Sequence, residues 1–219
     1  MAYFTVIIPL YNKENHIEET LKSVLNQTFQ DFEVIIVEDC STDNSKQKAE
    51  AIISEKIRII QHEANKGLSA SRNTGIHNAD SDFLAFLDAD DIWHEEFLEK
   101  IHQLTQEFPN AHLFGTNYTE VYPKKVTVVP SSNLKNFIKD GIVPDFFESN
   151  LHQNIYCHCS LCVKKEVFKK ASLSFEINRR TKGGNSSSIR CLIFNPEISG
   201  FLWMPFFNFC QLTKSFSFL

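Results

Sequence analysis

Four short, nearly continuous apolar runs constrain this chain most: Phe4 to Leu10 (FTVIIPL), Phe32 to Val37 (FEVIIV), Ile57 to Gln61 (IRIIQ) and Phe83 to Leu87 (FLAFL). A strand with one wet face alternates apolar and polar residues, whereas a run that is apolar throughout needs cover on both faces, as strands of a parallel sheet do. Helical patterns separate the runs. Ile17, Leu21, Val24 and Leu25 share one face, with Asn15 and Glu18 placed as a capping box, and Ala49, Ile52 and Ile53 mark a second helix. Leu68 to Ala79 predicts a third helix, weakened by Gly75, and Glu95 to Phe108 a fourth, where Phe97, Ile101, Leu104 and Phe108 recur at helical spacing. Strand alternating with helix implies the α/β class: βαβ units in a mostly parallel sheet flanked by helices.

Beyond Phe108 the pattern is less regular. Leu113 to Tyr122 and Val126 to Val129 read as strands, Leu134 to Ile138 as a helix and Asn154 to Val163 as an extended segment. From Arg179 onward Glu197 is the sole carboxylate, and Ser, Phe, Asn and Cys abound without periodicity, which suits neither a folded element nor a solvated tail. With 219 residues and 42% hydrophobic content, the chain supports one main core with a small appended lobe.

A net charge of −5 argues against a nucleic-acid-binding surface. An anionic ligand must then be held by helix N-termini, single basic residues or a bound cation. The opening MAYFTVIIPLYNKE lacks the basic region and long apolar run of a secretory signal, and six cysteines without such a signal read as reduced thiols, so a cytoplasmic location is expected. The most apolar stretch, Ile198 to Leu212, is interrupted by Gly200, Pro205 and Asn208; it does not read as a spanning helix, which leaves peripheral contact with the inner face of a membrane open.

Ligands of open parallel sheets bind beyond the carboxyl ends of the strands, and those positions are strongly polar here. Pro9, Leu10, Tyr11, Asn12, Lys13 and Glu14 follow the first run; Glu38, Asp39, Cys40, Ser41, Thr42 and Asp43 the second; Asn65, Lys66 and Gly67 the third; Asp88, Ala89, Asp90 and Asp91 the fourth. Three carboxylates within four residues repel one another unless a cation lies among them. Mg²⁺ or Mn²⁺, which prefer oxygen ligands, would serve. The rival reading makes Asp90 or Asp91 the cap of the helix leading to Phe97.

The phrases VIIPLYNKE, VEDCSTDNS, NKGLSASRNTGI and FLDADD, in this order and spacing, resemble the successive motifs of family 2 glycosyltransferases. The resemblance is strong over residues 4–110 and continues weakly through NIYCHCSLCVKKEVFKKA. It implies a GT-A fold, Rossmann-like, with a nucleotide-sugar-binding half at 1–110, an incomplete acceptor-side lobe at 111–176 and an aberrant tail at 177–219. It further implies inverting, metal-dependent transfer of a sugar from a nucleotide-diphosphate donor, UDP-linked, to a saccharide or lipid-linked acceptor, with Mn²⁺ or Mg²⁺ as cofactor. The implied donor-binding residues are Pro9, Tyr11, Glu14, Asp39, Lys66, Arg72, Asp88 and Asp90. Tyr11 would stack on the base and Asp39 accept the uracil ring N–H. Arg72 would lie near the base or diphosphate, Asp88 at the ribose and the metal, and Asp90 at the metal. The bland alternatives are a half-buried Tyr11, an Asp39–Ser41 turn and a surface Arg72. Glu38 and Cys40 depart from the family's usual Asp and Gly; Cys40 restricts the turn if it needs a positive φ.

Cys157, His158, Cys159 and Cys162 raise the possibility of zinc, but on a strand alternate residues face opposite sides, which suits a tetrahedral site poorly. They read instead as strand residues near the acceptor cleft. The resemblance also implies an acidic general base soon after a phrase here reduced to Phe175 and Glu176, and the INRRTKGGNSSSIR stretch after it offers none. Either the base is lost, leaving a catalytically impaired nucleotide-sugar-binding remnant, or residues from Ile177 onward are a frameshifted reading of a longer enzyme. A haloacid-dehalogenase-like phosphatase would also place DxD after a strand, but that motif should open the domain, whereas three βα units precede FLDADD here.

Overall fold

The computed structural model describes residues 1–52, 54–122, 125–129, 141–142, 157–170, 176–177, 187–188, 201–204 and 210–213. Its first half runs β1 (Phe4–Leu10), α1 (Ile17–Leu25), β2 (Phe32–Glu38), α2 (Ser45–Glu50), β3 (Ile57–Gln61), α3 (Leu68–Asn78), β4 (Phe83–Phe86), β5 (Asp91–Trp93) and α4 (Phe97–Glu107). Then come β6 (Leu113–Thr116), β7 (Tyr118–Tyr122), β8 (Lys125–Val129), β9 (Gly141–Ile142), a 3₁₀ turn at His158–Ser160, β10 (Leu161–Lys164) and α5 (Lys165–Lys170). The short strands β11 (Glu176–Ile177), β12 (Ser187–Ser188), β13 (Phe201–Met204) and β14 (Cys210–Thr213) complete the described elements.

The main sheet has the order β3-β2-β1-β4-β10-β6-β13-β9. Its first four strands are parallel, with Phe4 opposite both Phe32 and Phe83; β10 runs antiparallel to β4 and β6, and β13 parallel to β6. A smaller sheet has the order β5-β14-β7-β8.

Both faces of the main sheet are covered, as the continuous apolar runs require. On one side Val6, Ile8, Val34 and Ile36 pack with Ile17, Leu21 and Val24 of α1 and with Phe97, Ile101 and Leu104 of α4. On the other, Ile7, Ile35, Val37, Leu84 and Phe86 pack with Ile76 of α3 and with Val167 and Phe168 of α5. Successive residues of one strand thus feed opposite cores. Gly75 weakens α3 by propensity yet serves this packing: a Cβ there would sit 2.3 Å from Ile7 Cγ2, so its absence lets the helix lie close against β1.

Several local expectations need correction. No capping box forms at α1. His16 occupies the N-cap without a side-chain bond, because the chain enters through a turn in which the His16 and Ile17 N–H groups both donate to Lys13 O at 3.0 Å. Glu18, instead of reaching back, pairs with Lys48 at 3.4 Å. Neither Asp90 nor Asp91 caps α4, whose N-cap is Glu96; Asp91 opens β5. The expected strand from Leu113 to Tyr122 is two strands of different sheets, divided at Asn117. The segment expected to be extended through Val163 contains the 3₁₀ turn. Leu134 to Ile138 and Ile53 lie outside the described residues. Within 177–219, β13 pairs with β6, and β14 lies between β5 and β7. Among the described residues no helix is long and apolar enough to cross a membrane.

Candidate functional site

The carboxyl ends of β1, β2 and β4 and the start of α3 enclose a cavity of about 350 Å³. Of the residues singled out from the sequence, Pro9, Tyr11, Asp39, Asp88 and Asp90 line it. So do Lys13, Asn65 and Gly67, which stand at the strand ends, and Leu68 and Ser71, which lie within the NKGLSASRNTGI phrase but have no individual role assigned from the sequence, since the docking of α3 is what brings them there.

Glu14, Lys66 and Arg72 are not in the cavity wall, and each has another place. Glu14 Oε2 accepts from the backbone N–H and the side-chain amide of Asn44, at 3.0 and 2.9 Å, tying the loop after β1 to the loop after β2. Lys66 is exposed and contributes its backbone N–H. Arg72 is no surface residue: it is 1% exposed, and its Nη2 donates to Asp88 Oδ1 at 2.6 Å.

Asp39 sits in a cage of donors. Its Oδ1 accepts from the Lys66 N–H at 2.8 Å and is 2.7 Å from His62 Nδ1, while its Oδ2 accepts from the Gly67 N–H at 2.8 Å. His62 Nε2 is in turn 2.9 Å from Thr74 Oγ1 on α3. Asp39 is therefore more than a turn residue: its carboxylate locks β2 to the loop after β3. Glu38 and Cys40 flank Asp39 and shape the same turn. Glu38 folds back to accept from the Cys40 and Ser41 N–H groups, at 3.2 and 2.5 Å, and Cys40 adopts φ 60°, the left-handed region that glycine enters freely.

Within the segment from Asp88 to Asp91, the Asp91 N–H donates to Asp88 O at 3.0 Å, and the Thr20 hydroxyl donates to Ala89 O at 3.0 Å. Burial pulls the Asp88 carboxyl upward, but the charge and hydrogen bond of Arg72 outweigh it and hold the group below the usual carboxylate range. Asp90 Oδ2 is paired with Lys13 Nζ at 2.6 Å. Asp91 behaves oppositely: burial, then the negative charge of Asp88, push it up to about 9, and the Cys159 thiol donates to its Oδ2 at 2.8 Å.

The 3₁₀ turn explains why Cys159 is there. It aims the sulfur at Asp91 and at the Asp88 N–H, 3.3 Å away, while the Cys159 carbonyl accepts from the Trp93 indole at 2.6 Å. Burial and the nearby Arg72 charge lower the neighbouring His158. Cys162 lies apart in β10, opposite Ala85 and Phe114, with its thiol pushed well above the usual value by burial. The sequence cluster of cysteines and histidine is thus divided between a turn and a strand.

Asp88, Asp91 and Cys159 each present one donor atom, all within 4.8 Å. Asp91 and Cys159 are buried and bonded to each other, and a thiol is a soft ligand, so the pair suits a hard cation poorly. Asp88 and Asp90 face the cavity, and two carboxylates with room for phosphate oxygens fit Mg²⁺ or Mn²⁺.

The family profile described as Glycosyl transferase family 2 matches residues 5–170. The chain belongs to this family. It is 38% identical over 117 residues to the putative teichuronic acid biosynthesis glycosyltransferase TuaG of Bacillus subtilis, covering 52% of this chain and 46% of that protein. It is 38% identical over 95 residues to the UDP-Glc:α-D-GlcNAc-diphosphoundecaprenol β-1,3-glucosyltransferase WfgD of Escherichia coli, covering 43% of this chain and 38% of that one. The matches span 17% to 58% of the length of such curated relatives. Among solved structures, S. aureus TarS 1–349 in complex with UDP-GlcNAc superimposes with a TM-score of 0.76 at 23% identity, over 98% of this chain and 59% of that one. The sheet and its flanking helices are the GT-A fold.

Proposed function

We propose that this family 2 chain binds a UDP-linked sugar with Mn²⁺ or Mg²⁺ and serves inverting transfer to a saccharide or lipid-linked acceptor. Residues 1–110 are the donor-binding half, and acceptor contacts belong to residues 111–176. The observation that carries this reading is that one cavity wall holds a caged carboxylate, Asp39, an exposed aromatic, Tyr11, and the paired carboxylates Asp88 and Asp90.

The chemistry of each group supports its role. A carboxylate offers about four lone-pair sites. With Oδ1 taking two partners and Oδ2 one, Asp39 retains one acceptor position for the ring N–H of uracil. Tyr11, 44% exposed, offers a ring face for the base. Asp88 and Asp90 would hold the metal, which would supply neutralisation of the charge developing on the leaving diphosphate. Arg72 keeps Asp88 ionised. Glu14 and Lys66 act through the loops they fix.

The acceptor class rests on relatives named for a diphosphoundecaprenol-linked saccharide and for teichuronic acid biosynthesis. That chemistry suits a protein working beside the inner face of a membrane. The acidic base expected soon after Phe175 and Glu176 has no candidate in residues 177–190, so this chain binds donor but transfers sugar very slowly or not at all. A positioned base is typically worth about 10²–10⁴-fold in rate.

The test is calorimetry of UDP and ADP, each with Mn²⁺. Tighter binding of UDP is expected. Equal affinities would remove base reading by Asp39.

A further inference from the structure

Lys13 stands after the first strand and lies in the wall of the donor cavity, yet the proposed donor chemistry gives it no role. Its backbone is fixed: the N–H donates to Ser45 Oγ at 2.6 Å, and the carbonyl accepts from the His16 and Ile17 N–H groups at 3.0 Å. Its side chain crosses the cavity wall to Asp90, with Nζ 2.6 Å from Oδ2, and remains 31% exposed. We infer that Lys13 is a resident counter-ion of Asp90 that a divalent cation displaces, and that the released ammonium moves to the diphosphate, making metal and nucleotide binding interdependent. This rests on the proposed donor site.

Two basic side chains serve the carboxylates of this site, Arg72 and Lys13, and they differ in freedom to move. Arg72 is 1% exposed and sealed between α3 and the sheet, so its charge stays with Asp88. Lys13 is the cation among the described residues lining the cavity, on a four-carbon stem whose anchored backbone lets Nζ swing without disturbing the fold.

Asp88, Asp90, Arg72 and Lys13 together are neutral, and the caged Asp39 adds one negative charge to the cavity wall. A divalent ion entering alone leaves the cavity positive, and on Asp90 it meets an ammonium already hydrogen-bonded to the same carboxylate. A nucleoside diphosphate entering alone leaves the cavity strongly negative. Entering together they largely offset one another, and the ammonium freed from Asp90 gains phosphate oxygens in exchange for the carboxylate it leaves. Each ligand therefore raises the affinity for the other, and by linkage the two factors are equal.

Replacing Lys13 changes this in a direction that a merely structural role does not produce. In Lys13→Met the Lys13 ammonium no longer competes for Asp90, so Mn²⁺ alone should bind about tenfold tighter than to the parent, within the range of typical coupling energies. UDP alone should bind more weakly, and the factor by which UDP enhances Mn²⁺ binding should fall. Lys13→Arg retains the charge and should keep the parent's coupling.

The experiment measures free Mn²⁺ by electron paramagnetic resonance, with and without UDP, in the parent, Lys13→Met and Lys13→Arg. Tighter nucleotide-free Mn²⁺ binding and reduced coupling in Lys13→Met alone support the inference. Equal or weaker Mn²⁺ affinity in Lys13→Met, with the UDP–Mn²⁺ complex still formed, overturns it and leaves the donor site standing. If neither parent nor variant binds Mn²⁺ even with UDP, the metal is absent from the site, and both readings fall.

Discussion

Arg72 Nη2 lies 2.6 Å from Asp88 Oδ1, and the two partners occupy opposite environments: the guanidinium is sealed within the fold, while the carboxylate is 33% exposed at the cavity. The buried charge ties α3 to the loop after β4, and its partner delivers a negative group to the site. A charge sealed this way stays only while its counter-charge does, so one ion pair couples stability to the state of the cavity.

The first prediction tests that coupling. Arg72→Met retains an apolar stem but strands Asp88 beside a buried surface, and it should cost about 1–3 kcal/mol at pH 7, below the range for fully buried pairs because Asp88 is partly hydrated. The Asp88 pKa is lowered in the folded protein, so its stabilisation is present above the unfolded value of 3.8 and is lost as pH falls through the folded one. The difference between parent and variant in urea denaturation should therefore shrink toward and below pH 4. A difference that stays constant with pH would mean that Arg72 acts by packing alone.

Arg72 also marks where sequence reading stops. The four strands were legible because residues such as Ile7, Ile8, Ile35 and Ile36 fill both faces of a strand, a pattern that leaves few folds open. The rim was legible for the same reason: Tyr11, Asp39, Asp88 and Asp90 stand where such strands end. What lay hidden depends on contacts between distant segments. Gly75 looked like a weakness of α3 and proves to be a point of close approach to Ile7. Cys159 reaches Asp91 only because a 3₁₀ turn replaces the expected strand, and no periodicity announces three residues of 3₁₀ helix. Asn15 and Glu18 had the spacing of a capping box, but the turn closed by Lys13 O takes the N–H groups at the helix start first.

Cys40 supports a second prediction. At φ 60° a side chain with a Cβ costs about 1–2 kcal/mol relative to glycine, partly offset by the extra freedom glycine has when unfolded and by the Cys40 thiol donating to His62 O at 3.1 Å. Cys40→Gly should be more stable than the parent by up to about 1 kcal/mol, and Cys40→Ala, which keeps the strain and loses the thiol, less stable than either. Denaturant midpoints give the order. Finding Ala above Gly would show that the turn carries no such strain.

The last prediction concerns Asp91, a residue that is 5% exposed and whose carboxyl is raised to about 9 by burial and by Asp88. In the unfolded chain an aspartate titrates near 3.8, so between that value and about 9 the folded state holds a proton that the unfolded state has released. This group's contribution is therefore fully present below pH 4 and is lost progressively as pH rises toward 9. Asp91→Asn keeps the shape and an oxygen for the Cys159 thiol but has no proton to lose, so it removes this slope. With chelator present to exclude metal, the variant should gain on the parent as pH rises from 5 to 8, by more than one pH unit's worth of linkage, about 1.4 kcal/mol. Thermal melts at the two pH values measure it. A gain of equal size at pH 5 and pH 8 would mean that Asp91 is ionised in the folded protein, and the Cys159 thiol would then be donating to a buried carboxylate anion.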